Sequence, residues 1–204
     1  PGVHAEEDFI KGAVEVQDEG SQIAALMSGA KPGEQVIDLC AGAGGKTLAL
    51  AAMMQGKGRL IATDDDKRQL APIHERLSRA GVHNADVRTP KGAADTLADI
   101  KASADLVFVD APCTGTGTWR RNPDAKWRMR PGALEVRVRE QAEVLDRAAS
   151  LVKPGGRIAY VPCSVLAPEN SGQVAAFTAR HPEFAVVPPQ QTAAVLWDKA
   201  EAFV

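Results

Sequence analysis

Val36-Ile37-Asp38-Leu39-Cys40-Ala41-Gly42-Ala43-Gly44-Gly45-Lys46-Thr47 decides how this chain folds: an apolar strand runs into a glycine loop, and an Ala/Leu-rich helix leaves it. Strand, loop and helix in that order make a ligand cradle, because glycines let a backbone approach closely and a helix start offers unpaired N–H groups. Outward from this unit, short apolar runs alternate with longer amphipathic segments, the pattern of strand–helix units around a parallel sheet. Strands are predicted at Gln35 to Leu39, Arg59 to Thr63, Asp86 to Arg88, Leu106 to Asp110 and Arg157 to Val161. Helices are predicted at Gly45 to Gln55, Asp66 to Ala80, Ala93 to Lys101, Leu134 to Val152 and Glu169 to His181. Gly56, Gly58 and Gly81 fall just past helix ends, and Pro131-Gly132 falls just before a start. Lys153-Pro154-Gly155-Gly156 stops the long helix and turns the chain into the next strand. The fold class is α/β, a doubly wound and mostly parallel sheet. No repeat or low-complexity linker interrupts it, and Trp119 to Arg130, the longest stretch without periodicity, reads as a functional loop.

Three ligands compete for the glycine cradle. A P-loop needs Gly-x-x-x-x-Gly-Lys-Thr, and its first glycine would fall at Cys40. A dinucleotide fingerprint needs Gly-x-Gly-x-x-Gly, and its third glycine would fall at Thr47. Asp64 ends the next strand about twenty residues beyond the loop, where a carboxylate accepts hydrogen bonds from ribose hydroxyls. A nucleoside without a pyrophosphate fits both observations, and S-adenosylmethionine is the common one. The bland alternative is a glycine turn that only lets the helix pack on the strand.

The 204 residues favour one domain over two, and 45% apolar with 25% charged residues is ordinary for a soluble globular protein, which excludes disordered and collagen-like classes. The net charge of -2 does not advertise a nucleic-acid binder, although an average hides local patches. No apolar stretch approaches a membrane span, and Pro1 to Glu7 lacks the basic and apolar regions of a signal peptide, so a cytoplasmic protein without membrane contact is expected. The chain opens on Pro1 with no initiator methionine, as an excised fragment of a longer protein would. Three cysteines with no Cys-x-x-Cys pair argue against a disulfide framework or a structural zinc site; free thiols are expected.

Two of those cysteines occupy matching positions. Asp110-Ala111-Pro112-Cys113 follows Leu106-Val107-Phe108-Val109, and Val161-Pro162-Cys163 follows Arg157-Ile158-Ala159-Tyr160. The carboxyl ends of parallel strands are where ligands bind, so both thiols are expected in one crevice. Cys40, an apolar position before the glycines, reads as core filler. Metal binding is not expected, because His4, His74, His83 and His181 form no ligand spacing with Cys113 or Cys163. Nucleophilic catalysis remains, and it needs a partly exposed thiol in a setting that favours thiolate.

Taken together the motifs resemble the Sun/Nop family of RNA 5-methylcytosine methyltransferases, which use S-adenosylmethionine. The segments that carry the resemblance are Val16 to Gln22, Asp38 to Thr47, Asp110 to Gly117 with Arg120-Arg121-Asn122-Pro123-Asp124 and Lys126-Trp127, and Tyr160 to Ser164 with Glu169-Asn170. They follow the family's order, and the paired Pro-Cys motifs are far more specific than the glycine loop. The resemblance implies a class I methyltransferase, Rossmann-like fold that transfers a methyl group to C5 of a cytosine in RNA. Cytosine C5 is a poor nucleophile until a thiolate adds to C6. By the family's pattern Cys163 makes that attack, Asp110 holds the N3/N4 edge of the base, Lys46 is a cation near the base, and Cys113 helps release the product. The cofactor contacts implied are Cys40, Ala41, Gly42, Ala43, Gly44, Gly45, Lys46, Asp64 and Asp110.

Two departures from that pattern stand out. Pro162 replaces the usual threonine before the nucleophile, which removes a hydroxyl and an N–H. Thr89-Pro90-Lys91-Gly92 stands where an aspartate for the adenine amine is usual, with Asp86 displaced from that place. Family members also finish the sheet after the last helix and carry a separate RNA-binding domain. Phe184 to Val187 is expected to be one such strand, with the final edge strand missing, and residues 1-30 are expected to form an N-terminal cap on a catalytic domain spanning 1-204.

Between Trp119 and Arg139, Arg120, Arg121, Lys126, Arg128, Arg130, Arg137 and Arg139 face only Asp124 and Glu135. A basic loop bearing Trp127 beside a catalytic strand end suits phosphates and an unstacked base. Arg120, Arg121, Lys126 and Arg128 are the expected RNA contacts, with ribosomal RNA the first candidate and transfer RNA the second. Solvated surface is the plain alternative for the charges, a core anchor for Trp127, and packing for Trp197. A monomer is favoured. The rivals are a non-catalytic RNA-binding or ribosome-assembly module that keeps the fold, and a small-molecule methyltransferase, which needs neither basic loop nor nucleophilic cysteine.

Overall fold

The computed structural model describes residues 2–92, 94–188 and 190–193. Its strands are β1 (Gln35–Asp38), β2 (Arg59–Thr63), β3 (Ala85–Arg88), β4 (Ala104–Val109) and β5 (Val152–Tyr160). They form one parallel sheet in the order β3-β2-β1-β4-β5. Its helices are α1 (Glu7–Ile10), α2 (Glu19–Met27), α3 (Gly45–Met54), α4 (Lys67–Leu70), α5 (Ile73–Arg79), α6 (Ala125–Arg128), α7 (Ala133–Leu151) and α8 (Ser171–Arg180). The chain travels outward through β2 and β3, then returns to the other side of β1 for β4 and β5. The carboxyl ends of β1 and β4 therefore flank the point of reversal, the place where open α/β sheets bind ligands.

Both faces of the sheet are covered, so the central strands are continuous apolar runs. Alternation of side chains divides them. Ile37, Val107 and Val109 pack with Ala148 and Leu151 of α7, whereas Val36, Leu106 and Phe108 pack with Leu50, Ala51 and Met54 of α3. The same alternation turns Asp38, and Asp110 one residue past β4, toward α3. Thr47 Oγ1 donates to Asp38 Oδ2 at 2.7 Å and Lys46 Nζ to Asp110 Oδ2 at 2.6 Å, so consecutive residues of one helix partner both acids.

Five expected elements differ. The helix over Asp66 to Ala80 is split into α4 and α5, because Pro72 has no N–H to continue the ladder. The helix over Ala93 to Lys101 is reduced, among its described residues, to the 3-10 turn Ala98–Ile100; the Asp95 carboxylate accepts the Leu97 N–H at 3.1 Å, a local bond that competes with helix. Lys153 to Gly156 lies inside β5 as a bulge, with Ala104 opposite Val152 but Leu106 opposite Arg157. Phe184 to Val187 is not a strand; Phe184 packs on α8 with its ring 5.2 Å from that of Phe177. The last predicted helix also begins later than Glu169, at Ser171, after a 3-10 turn over Ala167–Glu169. Trp197 lies outside the described residues.

The segment before β1 is tied down at both ends. Arg157 on β5 forks onto Glu34 with two 2.8 Å bonds and also donates to the carbonyls of Ser28 and Gly29 at 2.9 and 2.6 Å. Glu15 pairs with Arg76 at 3.2 Å and with Arg79 on α5. Among the described residues no helix is long and apolar enough to cross a membrane.

Candidate active site

A cleft of about 1320 Å³ opens over the point of reversal, lined by the glycine loop, Asp64, Pro90, Gly92, Asp110 and Arg121 among others. Gly42 takes φ +49, and a Cβ there would meet nothing within 4 Å, so the loop presents bare backbone to open space. Asp64 Oδ2 accepts the Gly42 N–H at 2.9 Å and Oδ1 accepts the Asp66 N–H at 2.8 Å. Two amides fix the carboxylate, and each oxygen keeps a lone pair for a further donor such as a ribose hydroxyl.

Cys40, Ala41, Gly42, Ala43, Gly45 and Lys46 line the cleft. Gly44 serves the loop differently, since a Cβ at its φ of +86 would lie 2.4 Å from Ile73 Cγ1. Gly44→Ala is expected to destabilise the fold by about 1–3 kcal/mol through backbone strain and overpacking, and to weaken cofactor binding. Denaturant unfolding and calorimetry with S-adenosylmethionine check both effects.

At the end of β1, burial pushes the Asp38 carboxyl up to about 7, against the pull of the Thr47 hydroxyl and the Lys46 charge. Its Oδ1 has no hydrogen-bond partner among the described residues. Burial also raises the Cys40 thiol well above its ordinary range, which makes this cysteine inert packing, as its position before the glycines predicts.

Cys113 and Cys163 meet, half-buried, with their thiols near enough to shift each other's ionisation. The neighbouring Cys113 thiol lowers Cys163 to about 7, helped by the Lys46 and Arg121 charges and opposed by burial and by Asp110. The same nearness, with burial, raises Cys113. Neither thiol lines the cleft itself; it reaches Asp110, Ala111 and Pro112, and the cysteine pair lies just beyond its rim. The geometry thus joins a ligand cleft, a Lys–Asp pair and one thiol ready to ionise near neutral pH.

Of the expected RNA contacts, Arg121 turns into the cleft and reaches Asp18 at 3.4 Å. Arg120, Lys126 and Arg128 are exposed, Lys126 lying 4.8 Å over the Trp127 ring and Arg128 pairing with Asp124. Trp127 is 81% exposed, which removes the core-anchor reading. Asp86 is held by Arg59 at 2.9 Å and Arg88 at 3.1 Å, so it is committed elsewhere than the adenine side of the cleft. Sequence reasoning missed Gln17, Asp18 and Ser21, which line the cleft from the N-terminal segment; their only signal was the quoted Val16 to Gln22 motif.

This sheet order, with a glycine loop after β1 and an acid after β2, defines a class I methyltransferase of the S-adenosylmethionine-dependent type. The family model described as 16S rRNA methyltransferase RsmB/F matches residues 25–201, and the chain belongs to that family. The Sun/Nop resemblance drawn from the motifs is thereby borne out. Ribosomal RNA small subunit methyltransferase B of Salmonella arizonae is 37% identical over 188 residues, covering 90% of this chain and 42% of that protein. The chain thus spans well under half the length of the curated relatives it matches. Among solved structures, PH0851 aligns with a TM-score of 0.87 at 37% identity over 92% of this chain and 42% of that chain. NSun6 from Pyrococcus horikoshii with SFG aligns with a TM-score of 0.77 at 30% identity, over 88% of this chain and 46% of that one.

Proposed function

We propose that this chain methylates C5 of a cytosine in RNA, ribosomal RNA first, through a covalent adduct between Cys163 and C6 of the base. The observation that carries the reading is the meeting of the Cys113 and Cys163 loops, joined by the Gly117 N–H to Cys163 carbonyl bond at 3.1 Å, beside the Lys46–Asp110 pair. The names of the relatives, ribosomal RNA methyltransferases, support the substrate class.

The cleft suits S-adenosylmethionine in the chemistry of its walls: bare loop backbone at Gly42, a fixed carboxylate at Asp64, and no P-loop to hold a pyrophosphate. When bound, the cofactor supplies an electrophilic methyl group. Gly42, Ala43 and Gly45 would hold its methionine part and Asp64 its ribose, with Pro90 and Gly92 on the adenine side. Gln17 and Asp18 cap the cleft from the N-terminal segment.

Cys163 is half ionised at about pH 7, and its thiolate adds to C6, sending the C5=C6 electron pair to C5; C5 would then take the methyl group as the S–CH3 bond of the sulfonium breaks, leaving S-adenosylhomocysteine. Asp110 accepts from the base's amino edge, and Lys46 keeps that carboxylate in place. The C5 proton then leaves to a base, the C5=C6 bond re-forms and the Cys163 thiolate is expelled, with Cys113 assisting the release. Arg120, Lys126 and Arg128 take backbone phosphates, and exposed Trp127 offers a face for an unstacked base.

RNA carrying 5-fluorocytosine tests this directly, because fluorine replaces the proton that must leave. With S-adenosylmethionine the protein is expected to form an irreversible crosslink that mass spectrometry maps to Cys163. Turnover of a small acceptor with no crosslink would favour a small-molecule methyltransferase instead.

A further inference from the structure

Glu169 is a carboxylate with no exposed surface. Its hydrogen bonds come from neutral groups: the Thr114 N–H at 2.8 Å and Gln141 Nε2 at 3.0 Å to Oε1, and the hydroxyls of Thr114 and Ser164 to Oε2. Burying an ion among neutral donors is costly, so a fold keeps one where its acceptor capacity is needed. An ionised carboxylate takes four donors at once, which a glutamine carbonyl cannot. Those donors hold the carboxyl below its usual range despite its burial.

The donors are not scattered. Thr114 follows Cys113 directly, and Ser164 follows Cys163 directly. The residues before the cysteines are Pro112 and Pro162, which have no N–H to offer, so each thiol loop is anchored on its far side. Around the carboxylate the loops also hold each other: Gly117 N–H donates to the Cys163 carbonyl at 3.1 Å, and Thr116 Oγ1 lies 3.0 Å from Ser164 Oγ. Gln141 on α7 completes the anchor, donating to the Pro112 carbonyl at 2.8 Å as well as to Glu169.

We propose that Glu169 is a positioning residue that sets the separation and mutual orientation of the Cys113 and Cys163 thiols by fastening both loops to one buried carboxylate. The proposal rests on the reading of Cys163 as the attacking thiol. Glu169 touches neither the cleft nor the reacting base; it acts through the residue after each cysteine.

The test uses the whole chain with Glu169→Gln and, as milder changes that each remove one donor, Thr114→Val and Ser164→Ala. Iodoacetamide alkylation of Cys163 is followed against pH by mass spectrometry, with S-adenosylmethionine affinity measured by calorimetry. In the parent chain the alkylation midpoint is expected near the Cys163 value of about 7. Glu169→Gln is expected to move it toward the roughly 8.5 of a free thiol and to slow alkylation at pH 7 about tenfold, with cofactor affinity unchanged. The two milder variants are expected to move it in the same direction by less. An unchanged midpoint in variants that still bind the cofactor overturns the positioning role. If Glu169→Gln loses cofactor affinity, Thr114→Val and Ser164→Ala decide the matter. Cys163→Ala serves as the separate control: methylation surviving it overturns the attacker reading, whatever Glu169→Gln does to alkylation.

Discussion

Cys163→Ala is expected to abolish methyl transfer to RNA, with a fall on the order of 10⁴-fold or more, while S-adenosylmethionine binds as before. The split follows from geometry. The thiol lies outside the lining of the cleft, so removing it takes away the proposed attacking atom and leaves the cofactor's walls intact. The parent enzyme's rate should rise about tenfold per pH unit below neutrality and level off above about 7, because attack requires the thiolate. Radiolabelled methyl transfer and calorimetry measure the two halves. A Cys163→Ala protein that methylates RNA would sink the covalent mechanism.

Cys113→Ala carries the second large effect: a covalent protein–RNA species is expected to accumulate, visible as a shifted band in a denaturing gel. The structure adds a complication to that outcome. Cys113 is also the neighbour that lowers Cys163, so its loss is expected to raise the Cys163 thiol and slow adduct formation at neutral pH. Trapping should therefore be weak near pH 7 and strong about two units higher, where Cys163 is ionised without help. Absence of the band at both pH values would remove Cys113 from product release.

The strands and the glycine loop were legible in the sequence because apolar runs bounded by glycines and prolines have few other readings. Asp110 and the cysteines were legible because strand ends in a parallel sheet point at one place. The failures have physical causes of their own. Asp95 and Pro72 replaced helix with local bonds and a break, signals too short to outweigh the surrounding periodicity. Phe184 looked like the start of a strand, but its ring found aromatic partners on α8. Glu169 was visible only as half of a Glu-Asn motif, since nothing in its neighbours reveals that residues 114 and 164 would meet there.

The bulge in β5 sets four residues, Lys153 to Gly156, opposite the single Asp105, and it does so upstream of Arg157, where even pairing with β4 resumes and runs to Tyr160. Lys153 clasps Asp105, and Gly156 sits where a Cβ would lie 2.8 Å from the Ala104 carbonyl, so both edges of the bulge are pinned. A residue gained or lost between these pins changes the size of the slack without advancing the strand beyond it. The bulge thus separates the end of α7 from the evenly paired run that leads to Asp110 and Cys163, so the spacing of those two residues is set by the register beyond it.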